Sequence, residues 1–408
     1  MEYQLHTLSN GIRLVHRHAD NTVSHCGIII GAGSRNEETK EHGLAHFIEH
    51  GIFKGTTKRK VYHVLSRLEI VGSDLNAYTT KEETCIYASF LNRYYDRTLE
   101  LISDITFNST FPEKELKKEK DVIIEEINSY RDNPAEMIFD DFEELLFDGH
   151  PLGRNILGTK KNIKLFDKAK IDRFMANNYH TDRMVICSVG KINFRKLITL
   201  VEKYFSGISS NFNHTAPVPF LLYKPAKRSV KKRNFQTHCM IGNIAYNYND
   251  NHRMPMALLN NLLGGPGLNS RLNLAIREKH GLAYNNESNF SPYSDTGVFS
   301  IYLGIDNGSV DKTLHYVYNE LKLLREKKLG AMQLRTAKRQ FIGQLAIFYE
   351  QNLSRMLSMG KSLLLSDKVM TLEAVNEKID SVSAAEISEI ANEVFDPDQL
   401  SVLTYLSK

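Results

Sequence analysis

The apolar run Leu116, Val122, Ile123, Ile124, Ile127 has a counterpart in Leu334, Gln340, Phe341, Ile342, Leu345 at a constant offset of 218 (334 − 116). Further along, Ile171, Tyr179 and Asp182 correspond to Ile387, Phe395 and Asp398 at an offset of 216 (387 − 171), and both segments lead into strand-like runs, Met184 to Val189 and Leu400 to Tyr405. A repeat of this length restricts the chain to two similar halves, each burying its own core. The 408 residues suffice for two such cores. Between Phe205 and Arg228 the periodicity lapses, and Ser, Asn, Gly and the prolines Pro217, Pro219 and Pro225 gather into a linker-like stretch. The expected division is an N-terminal domain over 1–212, a linker over 213–228 and a C-terminal domain over 229–408.

Within the first half, Tyr3 to Ile30 alternates apolar and polar residues around Asn10-Gly11, a two-residue hairpin signal, with Gly27 to Ile30 expected to pair with its second strand. Val61, Val64, Leu65, Leu68 and Val71 recur at helical spacing and end at Gly72. Leu75 to Thr79 and Thr84 to Phe90 read as strands around a charged turn, followed by helices over Asp96 to Asn108 and Glu113 to Tyr130. The pattern predicts an α+β fold of two homologous domains, each a mainly antiparallel sheet with helices packed on one face. Cys26, Cys85, Cys187 and Cys239 stand far apart in apolar runs, which suits buried side chains better than disulfides or a thiolate metal site.

Charge excludes some partners. Fifty-two basic against 48 acidic residues leave +4, too weak and dispersed for a nucleic-acid or membrane-surface binder. The start lacks a basic, apolar leader and no stretch is long and apolar enough to span a bilayer, so a cytoplasmic protein is expected.

His46-Phe47-Ile48-Glu49-His50 carries the chemistry. On a helix, His46 and His50 are four apart and project from one face, where both imidazoles can reach one cation. Glu49 lies beside them, free to act as general base toward a water held at the metal. A catalytic zinc needs a third protein ligand. The Glu113 to Tyr130 helix offers one, because Glu119, Val122, Ile123, Glu126 and Tyr130 share a face. Glu125 points away from it and Ile124 falls on the far side, so Glu126 is the candidate for a buried ligand. His42, four residues before His46, precedes Gly43 and reads as pre-helical and exposed. At the position matching Glu126 the second half has Gln344, and no H-x-x-E-H occurs there.

Gly43-Leu44-Ala45-His46-Phe47-Ile48-Glu49-His50, the following Phe53-Lys54-Gly55-Thr56, Leu75-Asn76-Ala77-Tyr78-Thr79 and the Glu119 to Glu126 segment together resemble the pitrilysin-like, or inverzincin, zinc peptidases of family M16, which include the mitochondrial processing peptidase β-subunit. Glu126 follows His50 by 76 residues (126 − 50), the family separation. The resemblance spans nearly the whole chain and implies the LuxS/MPP-like metallohydrolase fold. It implies that His46, His50 and Glu126 ligate one Zn2+ per chain, that Glu49 activates water, and that Glu119 orients the site from outside the ligand set. Asn76, Ala77 and Tyr78 would form the edge strand that receives an extended peptide substrate.

In the second half, Arg277 and Tyr284 of Arg277-Glu278-Lys279-His280-Gly281-Leu282-Ala283-Tyr284 are similar to a pair that active family members place over the scissile bond. Single-chain relatives use four such domains whereas this chain has two. The resemblance therefore implies a homodimer in which Arg277 and Tyr284 act on the partner's site. The implied activity is zinc-dependent endopeptidase action on peptides or small unfolded proteins. The alternatives are a catalytically silent peptide-binding or structural subunit, or the active subunit of a heterodimeric processing peptidase.

Overall fold

A computed structural model describes residues 2–212 and 216–407, so 213–215 of the expected linker lie outside the described residues. Contacts divide the chain into two compact units, and each takes one segment from the other half of the sequence. The first comprises Met1–Asn128, Arg154–Val218 and Ile347–Met370, and the second Ser129–Gly153, Pro219–Ala346 and Thr371–Lys408.

The first unit holds a six-stranded sheet of β1 (Gln4–Thr7), β2 (Arg13–His18), β3 (Val23–Ile30), β4 (Asp74–Thr79), β5 (Thr84–Leu91) and β6 (Met184–Gly190), in the order β1-β2-β6-β3-β5-β4. The second unit holds β7 (Lys227–Lys232), β8 (Thr237–Ala245), β9 (Ala283–Pro292), β10 (Gly297–Ile305) and β11 (Ser401–Ser407), in the order β7-β11-β8-β10-β9. Without β1 the first order maps strand for strand onto the second, and among the described residues each sheet has a single parallel pair at the matching place, β2 with β6 and β7 with β11. The helices repeat as well. Helix α1 spans Leu44–Gly51, α2 Val61–Glu69, α3 Tyr95–Phe107, α4 Glu113–Arg131 and α5 Pro134–Leu146. The Ala331–Glu350 helix begins 218 residues (331 − 113) after the start of α4. The helices Lys168–Asn178 and Ala384–Val394 are offset by 216 (384 − 168) at both ends. The expected α+β class and two-part architecture are thus present.

Three local expectations need correction. β3 does not neighbour β2, because β6 lies between them. Every residue of β6 is buried, as befits a strand covered on both faces, and such a strand is most stable in the sheet interior. The turn between β1 and β2 spans Leu8 to Ile12 rather than two residues. Gly11 supplies the left-handed step (φ +93°), while buried Asn10 donates to Phe205 O (2.8 Å) and Ile208 O (3.0 Å). Lastly, helices cover both faces of each sheet.

In the first unit α1 to α4 pack on one face, and the Asn352–Ser366 helix covers the other. Its Met356, Met359, Leu363 and Leu364 close over Val15, Ile29, Val185 and Val189. Burying each such side chain contributes roughly 1.5–3 kcal/mol. Gly360 lets this helix approach closely, since a Cβ there would lie 2.6 Å from Ile29 Cδ1. In the second unit α5 does the same work, setting Ile138, Phe142 and Leu146 against Met240, Leu403 and Tyr405. All four cysteines are buried and free, as expected. Among the described residues no helix is long and apolar enough to cross a membrane.

A polar seam runs through the core of the first unit, where His16 Nδ1 lies 3.2 Å from Ser188 Oγ and Tyr95 Oη 3.0 Å from the same hydroxyl. Burial, with a smaller push from His18, lowers His16 from 6.5 to about 4. An unfolded chain takes up this proton near 6.5 and the folded chain only near 4, so His16 reduces stability as pH falls through that window. Between pH 7 and pH 5 the loss amounts to about 2 kcal/mol. Urea unfolding at the two pH values should show the difference shrinking by about that amount in His16→Asn, and an unchanged difference would contradict the assignment.

Candidate metal centre

Helix α1 faces two ways. Leu44, Phe47, Ile48 and Gly51, at i, i+3, i+4 and i+7, turn into the core, with Phe47 edge-on to Phe166 at 5.4 Å. Gly51 permits the contact with Phe111, whose ring a Cβ would meet at 2.8 Å. His46, Glu49 and His50 occupy the remaining arc.

Helix α4 packs through Leu116, Ile123 and Ile127 and brings its carboxylates to these residues. His46, His50 and Glu126 present ligand atoms that lie within 4.8 Å of one another. His46 Nε2 is 3.8 Å from Glu126 Oε1, and His50 Nε2 is 3.7 Å from Glu126 Oε2. These separations exceed hydrogen-bonding distance and lie near the roughly 3.3–3.5 Å expected between donors sharing a near-tetrahedral zinc with bonds of about 2.0–2.2 Å. His46 is 7% exposed, and its Nδ1 is enclosed without a hydrogen-bonding partner among the described residues. Burial, then the neighbouring His50, pushes His46 down to about 3, which keeps the imidazole in the neutral form a metal requires. Two imidazoles and a carboxylate are a zinc-type donor set, so the residues present fit that metal.

The surrounding shell is ordered. The Glu119 carboxylate accepts from His50 Nδ1 (3.2 Å) and from the Lys54 ammonium (2.8 Å). A proton on His50 Nδ1 leaves Nε2 with its lone pair toward Glu126. Glu49 Oε2 accepts from the Thr79 hydroxyl at 2.7 Å. Burial raises the Glu49 carboxyl above the ordinary value, while the Thr79 hydrogen bond and His50 pull it back.

Two details of the expected α4 face differ. Val122 is 50% exposed, and the Glu126 side chain is 43% exposed rather than buried, because the apolar stripe of α4 runs through Leu116, Ile123 and Ile127. His42 is pre-helical but half-buried, with Nε2 2.6 Å from Asn155 O. Thr79 and Lys54 sit inside stretches singled out in the sequence, yet nothing in the pattern assigns them to Glu49 and Glu119. Glu37 gave no signal at all. Its carboxyl accepts the backbone N–H groups of Gly43 (2.9 Å) and Ala45 (2.8 Å) at the start of α1.

Asn76, Ala77 and Tyr78 lie on β4, which among the described residues pairs with β5 alone and is the sheet edge. Asn76 is exposed, whereas the Tyr78 hydroxyl turns inward to donate to Glu83 (3.2 Å). In the second unit, Arg277 lies in the last turn of a π-helical segment over Asn273–Glu278, and Tyr284 is the second residue of β9. Gly281, at φ +58°, turns the chain between them. The Arg277 guanidinium stands 5.5 Å from the Tyr284 ring centroid, and Tyr284 is 74% exposed.

Residues 13–160 match the family model described as Insulinase (Peptidase family M16), and residues 166–341 match Peptidase M16 inactive domain. An uncharacterized zinc protease of Bacillus subtilis is 32% identical over 96% of this chain and 96% of its own length. The chain belongs to peptidase family M16. Solved structures share the fold of this M16 chain at lower identity. A protease from Helicobacter pylori superposes with a TM-score of 0.91 at 21% identity, covering 99% of each chain. A peptidase M16 inactive domain from Pseudomonas fluorescens gives 0.92 at 20%, covering 99% of this chain and 98% of that one. The match over 13–160 spans His46, Glu49, His50 and Glu126, and the match over 166–341 spans Arg277 and Tyr284.

Proposed function

We propose that this M16 chain is a zinc-dependent endopeptidase acting on peptides or small unfolded proteins. The observation that carries the reading is the convergence of His46, His50 and Glu126 beside a Glu49 already oriented by Thr79. His46, His50 and Glu126 would hold the metal. Bound there, zinc supplies Lewis acidity toward a peptide carbonyl and toward water.

Glu49 handles the protons. With Oε2 occupied by the Thr79 hydroxyl, Oε1 is left to take a proton from the attacking water and deliver it to the departing amine nitrogen. Its raised proton affinity makes it a stronger base than a surface glutamate. Glu119 holds the His50 ring in register, and Lys54 anchors the Glu119 carboxylate. The free side of β4 suits an extended substrate that pairs through backbone hydrogen bonds along Asn76, Ala77 and Tyr78. Such a peptide runs toward Thr79 and hence toward Glu49. Edge pairing selects chains that are already unfolded.

The test is incubation of the purified protein with a mixed peptide library beside Glu49→Gln, followed by mass spectrometry of the products. Cleavage by the wild type alone is expected, and equal cleavage by both proteins would refute the proposal.

Arg277 and Tyr284 are proposed to serve the partner's site in a homodimer. Their exposure and mutual stacking suit a pair that holds substrate carbonyls rather than packing into its own core. Arg277→Ala and Glu49→Gln chains are each expected to be inactive alone. A verified heterodimer of the two has one intact site and should recover about half the wild-type activity per dimer. No recovery would overturn the in-trans assignment.

A further inference from the structure

Helix α1 begins without a capping side chain of its own. Its N-cap is Gly43, held in the left-handed region at φ +98°. A Cβ there would meet Gly158 Cα at 2.8 Å, so the position has no room for the Ser, Thr or Asp that commonly caps a helix. The first-turn N–H groups still need acceptors. Both oxygens of Glu37 provide them, Oε2 from Gly43 N–H at 2.9 Å and Oε1 from Ala45 N–H at 2.8 Å. Glu37 is 4% exposed, and the Arg154 guanidinium fixes its backbone by donating to Glu37 O at 2.7 Å.

The loop that carries Glu37 is fastened at its other end to the turn after β4. Ser34 N–H donates to Thr80 O (3.1 Å) and Arg35 N–H to Lys81 O (2.8 Å). The Arg35 guanidinium reaches Glu82 (2.6 Å). Gly33 allows this approach, since a Cβ would lie 2.4 Å from Thr80 O. One short segment therefore grips the end of the edge strand and the start of the helix bearing His46, Glu49 and His50. The Thr79 to Glu49 hydrogen bond closes the circuit.

We propose that Glu37 is the positioning residue of this site: by capping α1 from a loop pinned to the β4 turn, it sets the placement of His46, His50 and Glu49 relative to Glu126 and the substrate strand. The inference rests on the metal and base roles proposed above for those residues. Losing the cap lets the first turn of α1 fray, with His46 within reach of the fraying and the core-facing residues still packed. The fault should then appear in metal affinity and turnover while the fold persists.

The experiment compares full-length wild type, Glu37→Ala, Glu37→Gln and Glu41→Gln. Glu41 is buried in the same loop and pairs with Arg173, and among the described residues its carboxylate accepts no hydrogen bond from the start of α1, so it reports general loosening of the loop. Hydrogen exchange by mass spectrometry reads protection of residues 43–50, and competition with a chelator reads zinc affinity. Far-UV circular dichroism verifies folding. Glu37→Ala should lose protection over 43–50 and bind zinc about 10-fold or more weakly, with kcat reduced and KM little changed. Glu37→Gln keeps one acceptor and should fall between Glu37→Ala and wild type, and it carries the test if Glu37→Ala does not fold. Wild-type protection and zinc affinity in folded Glu37 variants would overturn the inference, as would equal losses in Glu41→Gln. A wild type that takes up no zinc would instead overturn the proposed function, and the exchange measurement would still decide whether Glu37 caps α1.

Discussion

Replacing Glu49 with glutamine should lower kcat for peptide cleavage by about 10²–10⁴-fold, the range removed with a general base, while metal content and KM stay near wild type. The substitution keeps shape and volume. The amide oxygen of the introduced side chain can still accept from the Thr79 hydroxyl, so the helix and strand keep their connection. The amide cannot take up a proton at any working pH, and that is the property under test. Glu49 is separate from the set formed by His46, His50 and Glu126, which is why metal content should not follow activity down. A variant that loses both would mean that Glu49 supports the ligands rather than the proton transfer.

Replacing Glu126 with alanine should have the opposite signature. His46 and His50 then have no carboxylate to complete the donor set, and zinc affinity should fall by more than the roughly 10–100-fold that follows loss of an outer hydrogen-bonding partner. Glu119→Gln provides that lesser reference, because it weakens the His50 Nδ1 contact and leaves the proposed ligands in place. Chelator competition on the three proteins should therefore rank wild type above Glu119→Gln and Glu119→Gln above Glu126→Ala. Equal affinity of wild type and Glu126→Ala would remove Glu126 from the ligand set.

The parts of the site that the sequence revealed share a physical basis. His46 and His50 are related by one helical turn, and Glu119 and Glu126 by nearly two turns of a second helix, so the periodicity of each helix brings its groups to one face without reference to the rest of the fold. The repeat was legible for the same reason, since the amphipathic helices keep their offsets of 218 and 216 to the residue (331 − 113 and 384 − 168).

What escaped depends on tertiary contacts. The apolar faces of α5 and of the Asn352–Ser366 helix show that each is buried, yet no spacing rule says which sheet it covers. β6 entered between β2 and β3 because a strand buried at every position belongs in the interior, a preference that local alternation around Asn10-Gly11 does not express. Glu37 caps a helix from six residues before its N-cap, beyond the three-residue spacing of a capping box, and reads as one acid in a polar loop until the loop is folded.

The most direct test of the central claim is a zinc titration of metal-stripped protein, with cleavage of one library-derived peptide as the readout. Activity should be absent without metal, rise linearly, and saturate at one zinc per chain. Cleavage by the fully stripped protein, or none at any zinc level by a protein that binds the metal, would contradict it.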